Sequence, residues 1–93
     1  MTDAIDVLGL ASSAIADRAP QYGDVTLMAR RAAEISSAIL EAEVSPRAVL
    51  TILLAVKLAR LQESPQHLDS FVDATAYVAL IAQVARAKGP PDA

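Results

Sequence analysis

Apolar residues recur every three or four positions along the first half of the chain, which is the period of a helix with one buried face. In residues 3–17 this stripe consists of Ile5, Leu8, Ala11 or Ser12, and Ile15. In a second segment, from residue 25 or 26 to residue 42, it consists of Met28, Ala32, Ile35 and Ile39. Between the two segments, Pro20 and Gly23 disfavour a helix, so we predict a loop over residues 18–24.

Two Ser-Pro pairs predict the starts of two further helices. In Ser45-Pro46 and Ser64-Pro65 the hydroxyl can accept a hydrogen bond from an unpaired backbone N–H, and proline fits the first helical position. The third predicted helix ends near residue 62 and is apolar on more than one face, which is typical of the central helix of a bundle. Within it, we expect Leu53 and Leu54 to be core residues.

The predicted connections are short, roughly two to seven residues, so consecutive helices are expected to be antiparallel neighbours. The composition agrees with helices, because 20 alanines and 11 leucines stand against three aromatic residues. We therefore predict an all-α protein: one domain over residues 1–88, folded as a compact four-helix up-and-down bundle. The fourth helix stops at Gly89, and residues 89–93 are expected to form a flexible tail.

Composition and charge narrow the classes of function. The chain has no cysteine and one histidine, which excludes disulfides, thiolate nucleophiles and cysteine-type zinc sites. The net charge is −3 with no basic run, so we expect no direct sequence-specific binding to nucleic acid. The acidic start lacks a signal-peptide pattern, and the longest apolar stretch falls short of the ~20 residues that span a membrane. A cytoplasmic protein without membrane contact is expected.

Four charged residues in the predicted hairpin of helices three and four form the main candidate site. Lys57 and Arg60 are spaced i, i+3, and Asp69 and Asp73 are spaced i, i+4 on the next helix. The turn between the helices places the two cations opposite the two carboxylates. One interpretation is a salt-bridge cluster that fixes the register of the helices. The other is a charged cleft that binds phosphate or a metal ion.

The remaining candidates flank this hairpin. His67 is expected to have a local structural role at the start of helix four, with metal binding beside the two aspartates as the alternative. Tyr22 and Tyr77 are expected in the core with hydrogen-bonded hydroxyls. Alternatively, the segment around Tyr22 folds over the hairpin and covers a ligand. The candidate binding residues are Arg18, Tyr22, Asp24, Lys57, Arg60, His67, Asp69, Asp73 and Tyr77.

Three motifs in this order resemble a domain-of-unknown-function family of small helical proteins encoded by phages and prophages. They are Arg18-x-x-Gln21-Tyr22-Gly23-Asp24, Lys57-Leu-Ala-Arg60-Leu61 and His67-x-Asp69-Ser70-x-x-Asp73-x-x-x-Tyr77. The resemblance covers about residues 17–83.

The same order is remotely similar to all-α nucleotide pyrophosphatases of the MazG and dUTPase type. That similarity implies Asp69 and Asp73 as magnesium ligands. Those enzymes hold Mg²⁺ between two acidic helices, whereas the second helix here offers only Glu34, Glu41 and Glu43, at a different spacing.

Two functions follow as expectations. The first is a phage or prophage accessory protein without catalytic activity or cofactor, which binds a host or phage protein or a protein–nucleic-acid complex, an anti-CRISPR-type inhibitor being one concrete form. The alternative is a degenerate nucleotide-binding domain in which Lys57 and Arg60 bind phosphate and the two aspartates bind Mg²⁺.

A homodimer is also expected. Helix three carries more apolar positions than a four-helix domain of this size can cover, and helix four adds an apolar edge at Val72, Ala76 and Ala79.

Overall fold

The computed structural model describes residues 3–22 and 24–87, and for residues 19–22 it describes the backbone. This part of the chain forms four α-helices and no strand, so the predicted all-α fold is confirmed and is consistent with a helical bundle. The helices are α1 (Ala4–Tyr22), α2 (Val25–Leu40), α3 (Pro46–Glu63) and α4 (Leu68–Arg86). The predicted tail, residues 89–93, lies outside the described residues.

The first Ser-Pro pair begins a helix as predicted, and the second does not. The Ala48 amide donates to Ser45 Oγ at 3.0 Å, and Pro46 is the first residue of α3. Ser64 instead follows the end of α3, where its amide donates to the Arg60 carbonyl at 2.9 Å. Residues 64–67 are needed to reverse the chain, so α4 begins at Leu68.

The predicted loop over residues 18–24 is wrong, because α1 continues through Pro20 to Tyr22. A proline lacks one backbone N–H, and in the last turn of a helix this removes only one hydrogen bond before the helix ends anyway. At the end of α2, Glu41 adopts a left-handed conformation with φ of 53°, so α2 stops at Leu40, two residues before the predicted end.

The four helices form a ring that is open on one side. Helix α4 packs against both α1 and α3, and α2 packs mainly against α3. Helices α1 and α2 scarcely touch, although they are consecutive. The predicted neighbour relation therefore holds for α2–α3 and α3–α4 and is wrong for α1–α2. The result is an elongated molecule of 44 × 28 × 22 Å with a seam between α1 and α2.

The core is small and rich in alanine. One cluster joins α1 to α4 through Ala11, Val72 and Ala76. A second joins α2, α3 and α4 through Ala29, Leu50 and Val84. Because Val72 and Ala76 are buried against α1, they do not form the free apolar edge that the sequence predicted.

Helix α4, not α3, is the central helix of the fold. It buries five residues, whereas α3 buries two, Pro46 and Leu50. Leu53, predicted to be a core residue, is 39% exposed. By length and composition α4 is the one described helix apolar enough to cross a membrane. In the fold, α4 packs between α1 and α3.

Helix α2 buries a different stripe from the predicted one. Met28, Ile35 and Ile39 are 41%, 61% and 74% exposed, while Ala29 and Ala33 are 3% and 4% exposed. The helix is thus turned so that its small residues face its neighbours. Alanine at these contacts permits a short distance between helix axes, which larger side chains would increase.

Candidate functional site

A cleft of about 620 Å³ opens where α1 and α2 separate. This volume lies within the range of roughly 300–1,000 Å³ that is usual for small-molecule sites. Its apolar lining comes from all four helices and comprises Ala14, Ile15, Val25, Met28, Leu50, Leu53, Ala76 and Leu80. Its polar lining comprises Arg18, Asp24, Asp73, Tyr77 and Gln83. The cleft is therefore an apolar hollow bordered by a few polar groups.

A half-buried ion pair stands at the wall of this cleft. Lys57 Nζ on α3 lies 2.9 Å from Asp73 Oδ2 on α4, and the two side chains are only 19% and 18% exposed. Arg18 Nη2 on α1 approaches the other carboxylate oxygen of Asp73 at 3.8 Å, and its side chain is 57% exposed. One carboxylate thus connects three helices. Lys57 holds it closely, and Arg18 reaches it from the solvent side.

The predicted charge cluster exists in part. Lys57 and Asp73 meet, as the hairpin predicts. Arg60 and Asp69 are exposed, and neither has an ion-pair partner among the described residues. The second cation near Asp73 is Arg18, which we had predicted to lie in a loop. The Arg18 motif was recognised in the sequence. Because Pro20 disfavours a helix, however, we did not predict the last turn of α1, which places Arg18 beside Asp73.

His67 lies at the start of α4 and does not line the cleft. It occupies the N-cap position, but its side chain accepts no capping hydrogen bond from the helix. Instead its Nδ1 lies 2.8 Å from the hydroxyl of Ser70, which is 2% exposed. This contact joins His67 to the first turn of α4, and its structural role stays a prediction. Sequence reasoning missed Ser70, the one buried polar residue among those described.

The other candidates divide between the cleft and the remaining surface. Asp24 borders the cleft and caps α2, because its Oδ1 accepts from the Thr26 amide at 2.9 Å. Tyr77 also borders it and packs against the second core cluster. The side chain of Tyr22 lies outside the described residues. The structure thus gathers Arg18, Asp24, Lys57, Asp73 and Tyr77 and leaves Arg60, His67 and Asp69 elsewhere.

The described residues do not fit a magnesium site. No three His, Cys, Asp or Glu side chains among them come close enough to hold a metal ion. Both oxygens of Asp73 face cations, and Asp69 is exposed outside the cleft. Because Mg²⁺ in proteins is held by carboxylates with free oxygens, a lone carboxylate paired with lysine is a poor ligand set.

Comparison with known protein families shows which family the chain belongs to. Residues 6–85 match the family described as Domain of unknown function (DUF6378). The chain belongs to this family. The match includes all of α2 and α3, most of α1 and α4, and every candidate residue of this DUF6378 protein, from Arg18 to Tyr77. No curated protein and no solved structure is significantly similar to the chain.

Proposed function

We propose that this DUF6378 protein is a phage or prophage accessory protein that acts by binding, without catalysis, and that its cleft holds part of a host or phage protein. The observation that carries the proposal is the cleft itself, about 620 Å³ of mostly apolar hollow that opens between α1 and α2. Concave apolar sites with a few polar groups are where proteins hold ligands and the anchoring side chains of partners.

The apolar lining favours an aliphatic or aromatic side chain as the occupant. Met28 and Leu53 line the cleft and are 41% and 39% exposed, so part of its lining contacts water in the isolated chain. Covering such groups with a partner's side chain removes apolar surface from water, at roughly 25 cal/mol per Å². Anchoring residues of this kind dominate the affinity of protein interfaces.

The charged residues at the cleft are suited to orienting a bound partner. Lys57 Nζ and Asp73 Oδ2 are paired with each other at 2.9 Å. Arg18 and Asp24, both exposed at the border of the cleft, are available to polar groups of the partner. Charges at the edge of an interface set specificity and association rate more than affinity.

The class of partner follows from charge and composition. With a net charge of −3, the protein suits a host protein or a protein–nucleic-acid complex in the cytoplasm rather than free nucleic acid. An inhibitor of the anti-CRISPR type is one concrete form of this function.

A second candidate is a degenerate nucleotide-binding domain related to MazG-like pyrophosphatases. It is favoured by the cation Arg18, which lines a cleft large enough for a small ligand, and by a second cation, Lys57, which pairs with Asp73 of the lining. In this candidate the exposed guanidinium of Arg18 binds a phosphate group. The expected use of Asp69 and Asp73 for Mg²⁺ does not fit their positions, so no step is assigned to a metal.

A pair of alanine variants on α1 tests the proposed function. Ala14 lines the cleft, and Ala16 on the same helix is exposed outside it. Ala14→Phe should fill the cleft, and Ala16→Phe is the control on the same helix. Because Ala14 also packs against the core cluster of α1 and α4, a cooperative urea transition of Ala14→Phe first shows that this variant is folded. In affinity capture from the native host, the wild type and the control should retain the same partner at saturable stoichiometry, and Ala14→Phe should lose at least about nine tenths of it. Equal retention by Ala14→Phe would contradict the proposal.

The second candidate is separated by a thermal-shift series with deoxynucleoside triphosphates, with and without Mg²⁺. The proposed function predicts no change in Tm. A rise of several degrees that Arg18→Gln abolishes would support nucleotide binding in its place.

A further inference from the structure

The guanidinium of Arg18 carries hydrogen-bond donors that the fold does not use. Arg18 lines the cleft, and its side chain is 57% exposed. Its Nη2 lies 3.8 Å from Asp73 Oδ1, which is too far for a hydrogen bond. None of its N–H groups donates a hydrogen bond within the part of the chain that the structure describes. Because arginine has five such donors in a planar fork, this side chain is able to bind an oxygen ligand.

The other charged groups of this site are compensated within the protein. Lys57 Nζ and Asp73 Oδ2 are paired at 2.9 Å. Asp24 caps α2, where its Oδ1 accepts from the Thr26 amide and the positive end of the helix dipole favours its carboxylate. Of the charged residues described in the lining, Arg18 is thus the one without a close partner or a hydrogen bond. It favours an occupant with a negative charge.

We propose that the segment of the partner held in the cleft is a short acidic peptide segment, in which an Asp or Glu carboxylate binds Arg18 and its neighbours are apolar. This inference rests on the proposed function, because it specifies what the cleft holds. The planar guanidinium matches a carboxylate with two parallel N–H···O bonds. Ala14 and Ile15 lie one helical turn from Arg18 and line the same cleft, so the residue next to the carboxylate meets an apolar surface.

A single negative charge fits this site better than a phosphate group. Asp73 approaches Arg18 from one side, and Asp24 borders the same cleft. A phosphorylated side chain carries about −1.5 to −2 charges at pH 7, more than one guanidinium balances, and the two carboxylates repel the excess. A carboxylate carries one negative charge, which Arg18 balances by itself.

The length of the cleft favours a segment over a lone side chain. On α4 the lining runs from Asp73 to Gln83, which are ten residues and therefore about 15 Å apart along the helix. About four residues of extended chain span this distance. Between its two ends the α4 lining consists of Ala76, Tyr77 and Leu80. The other residues of the segment are therefore expected to be aliphatic or aromatic.

Selection from a display library of random peptides of about twelve residues tests the proposal, with the full chain as the target. Selected peptides are then tested on Ala14→Phe, in which the cleft is filled, and those that lose binding depend on the cleft. An Asp or Glu beside apolar residues should recur among these peptides.

A double-mutant cycle with one such peptide measures the contact with Arg18. Changing the acidic residue of the peptide to its amide should raise the Kd for the wild type about tenfold or more, because a hydrogen bond to a charged group is lost. For Arg18→Gln the same change should raise the Kd less than about twofold, because the partner is already missing. Arg60→Gln removes the same charge from the exposed surface of α3, outside the cleft, and is the control that should behave like the wild type.

The outcomes separate this inference from the proposed function. Peptides that depend on the cleft but lack an acidic residue would overturn the inference and leave the proposed function intact. An equal effect of the amide change on the wild type and on Arg18→Gln would do the same. A selection that yields no peptide dependent on the cleft would contradict both.

Discussion

Helices α3 and α4 are nearly equal in length, 18 and 19 residues, yet they differ in the number of residues that the fold buries. The buried residues of α4 are Ser70, Val72, Ala74, Ala76 and Val84, and those of α3 are Pro46 and Leu50. Helix α4 lies between α1 and α3 and also touches α2, whereas α3 lies between α4 and α2 and does not pack against α1. The outer face of α3 has no neighbour among the described helices.

The difference shows that the apolar character of a helix does not determine its burial. Alanines on α4 let α1 approach closely and exclude water from that contact. On α3, Ile52 and Val56 are larger and more hydrophobic, but they are 59% and 44% exposed, because none of the described helices lies across from them. The neighbours of a helix, more than its apolar character, therefore determine how far it is buried.

The largest expected effect contrasts two residues of α3 itself. Leu50→Ala should lower the free energy of unfolding by ~2–5 kcal/mol, because Leu50 is 4% exposed and its removal leaves a cavity. Ile52→Ala should change it by less than ~1 kcal/mol, because Ile52 is 59% exposed. Urea denaturation of both variants measures this. A loss below ~1 kcal/mol for Leu50→Ala would contradict the assigned core.

The next effect concerns the ion pair that joins the two helices. Asp73→Ala should lower the free energy of unfolding by ~1–3 kcal/mol, because it leaves the half-buried Lys57 ammonium without its partner. The double variant Lys57→Met with Asp73→Leu should recover much of that loss. Asp69→Ala, on the exposed side of α4, is the control and should stay within ~0.5 kcal/mol. Clear stabilisation by Asp73→Asn would indicate a ligand site in place of a structural pair.

A smaller effect separates the starts of the two helices. Ser45 caps α3 by accepting from the Ala48 amide at 3.0 Å, so Ser45→Ala should cost ~1 kcal/mol. Ser64 also precedes a proline but caps no helix start, and Ser64→Ala should stay within ~0.5 kcal/mol. Thermal melts of the matched pair measure the difference. Equal losses would mean that the second Ser-Pro pair starts α4 after all.

Local signals and hairpin geometry were sufficient for part of this structure. The all-α fold, the start of α3 at Pro46 and the meeting of Lys57 with Asp73 all follow from spacing along the chain. These features depend on residues close in sequence or on a short turn, where the geometry leaves few alternatives.

The features that were missed depend on contacts between distant helices. Rotating α2 by one residue exchanges Met28 and Ala32 for Ala29 and Ala33 at the contact, and the periodicity of the sequence allows both. The gap between α1 and α2 that forms the cleft is set by how closely α1 packs on α4. The contact of Arg18 with Asp73 needs a helical turn that Pro20 disfavours locally.

Thiol reactivity of two matched alanine positions tests most directly that α4 is covered by its own chain and the outer face of α3 is not. Ala74 on α4 is 9% exposed and Ala59 on α3 is exposed. In dilute solution, Ala59→Cys should react with a thiol reagent nearly as fast as the unfolded chain. Ala74→Cys should react on the order of a hundredfold more slowly, because it must wait for the helices to separate. Equal rates for the two variants would contradict the comparison.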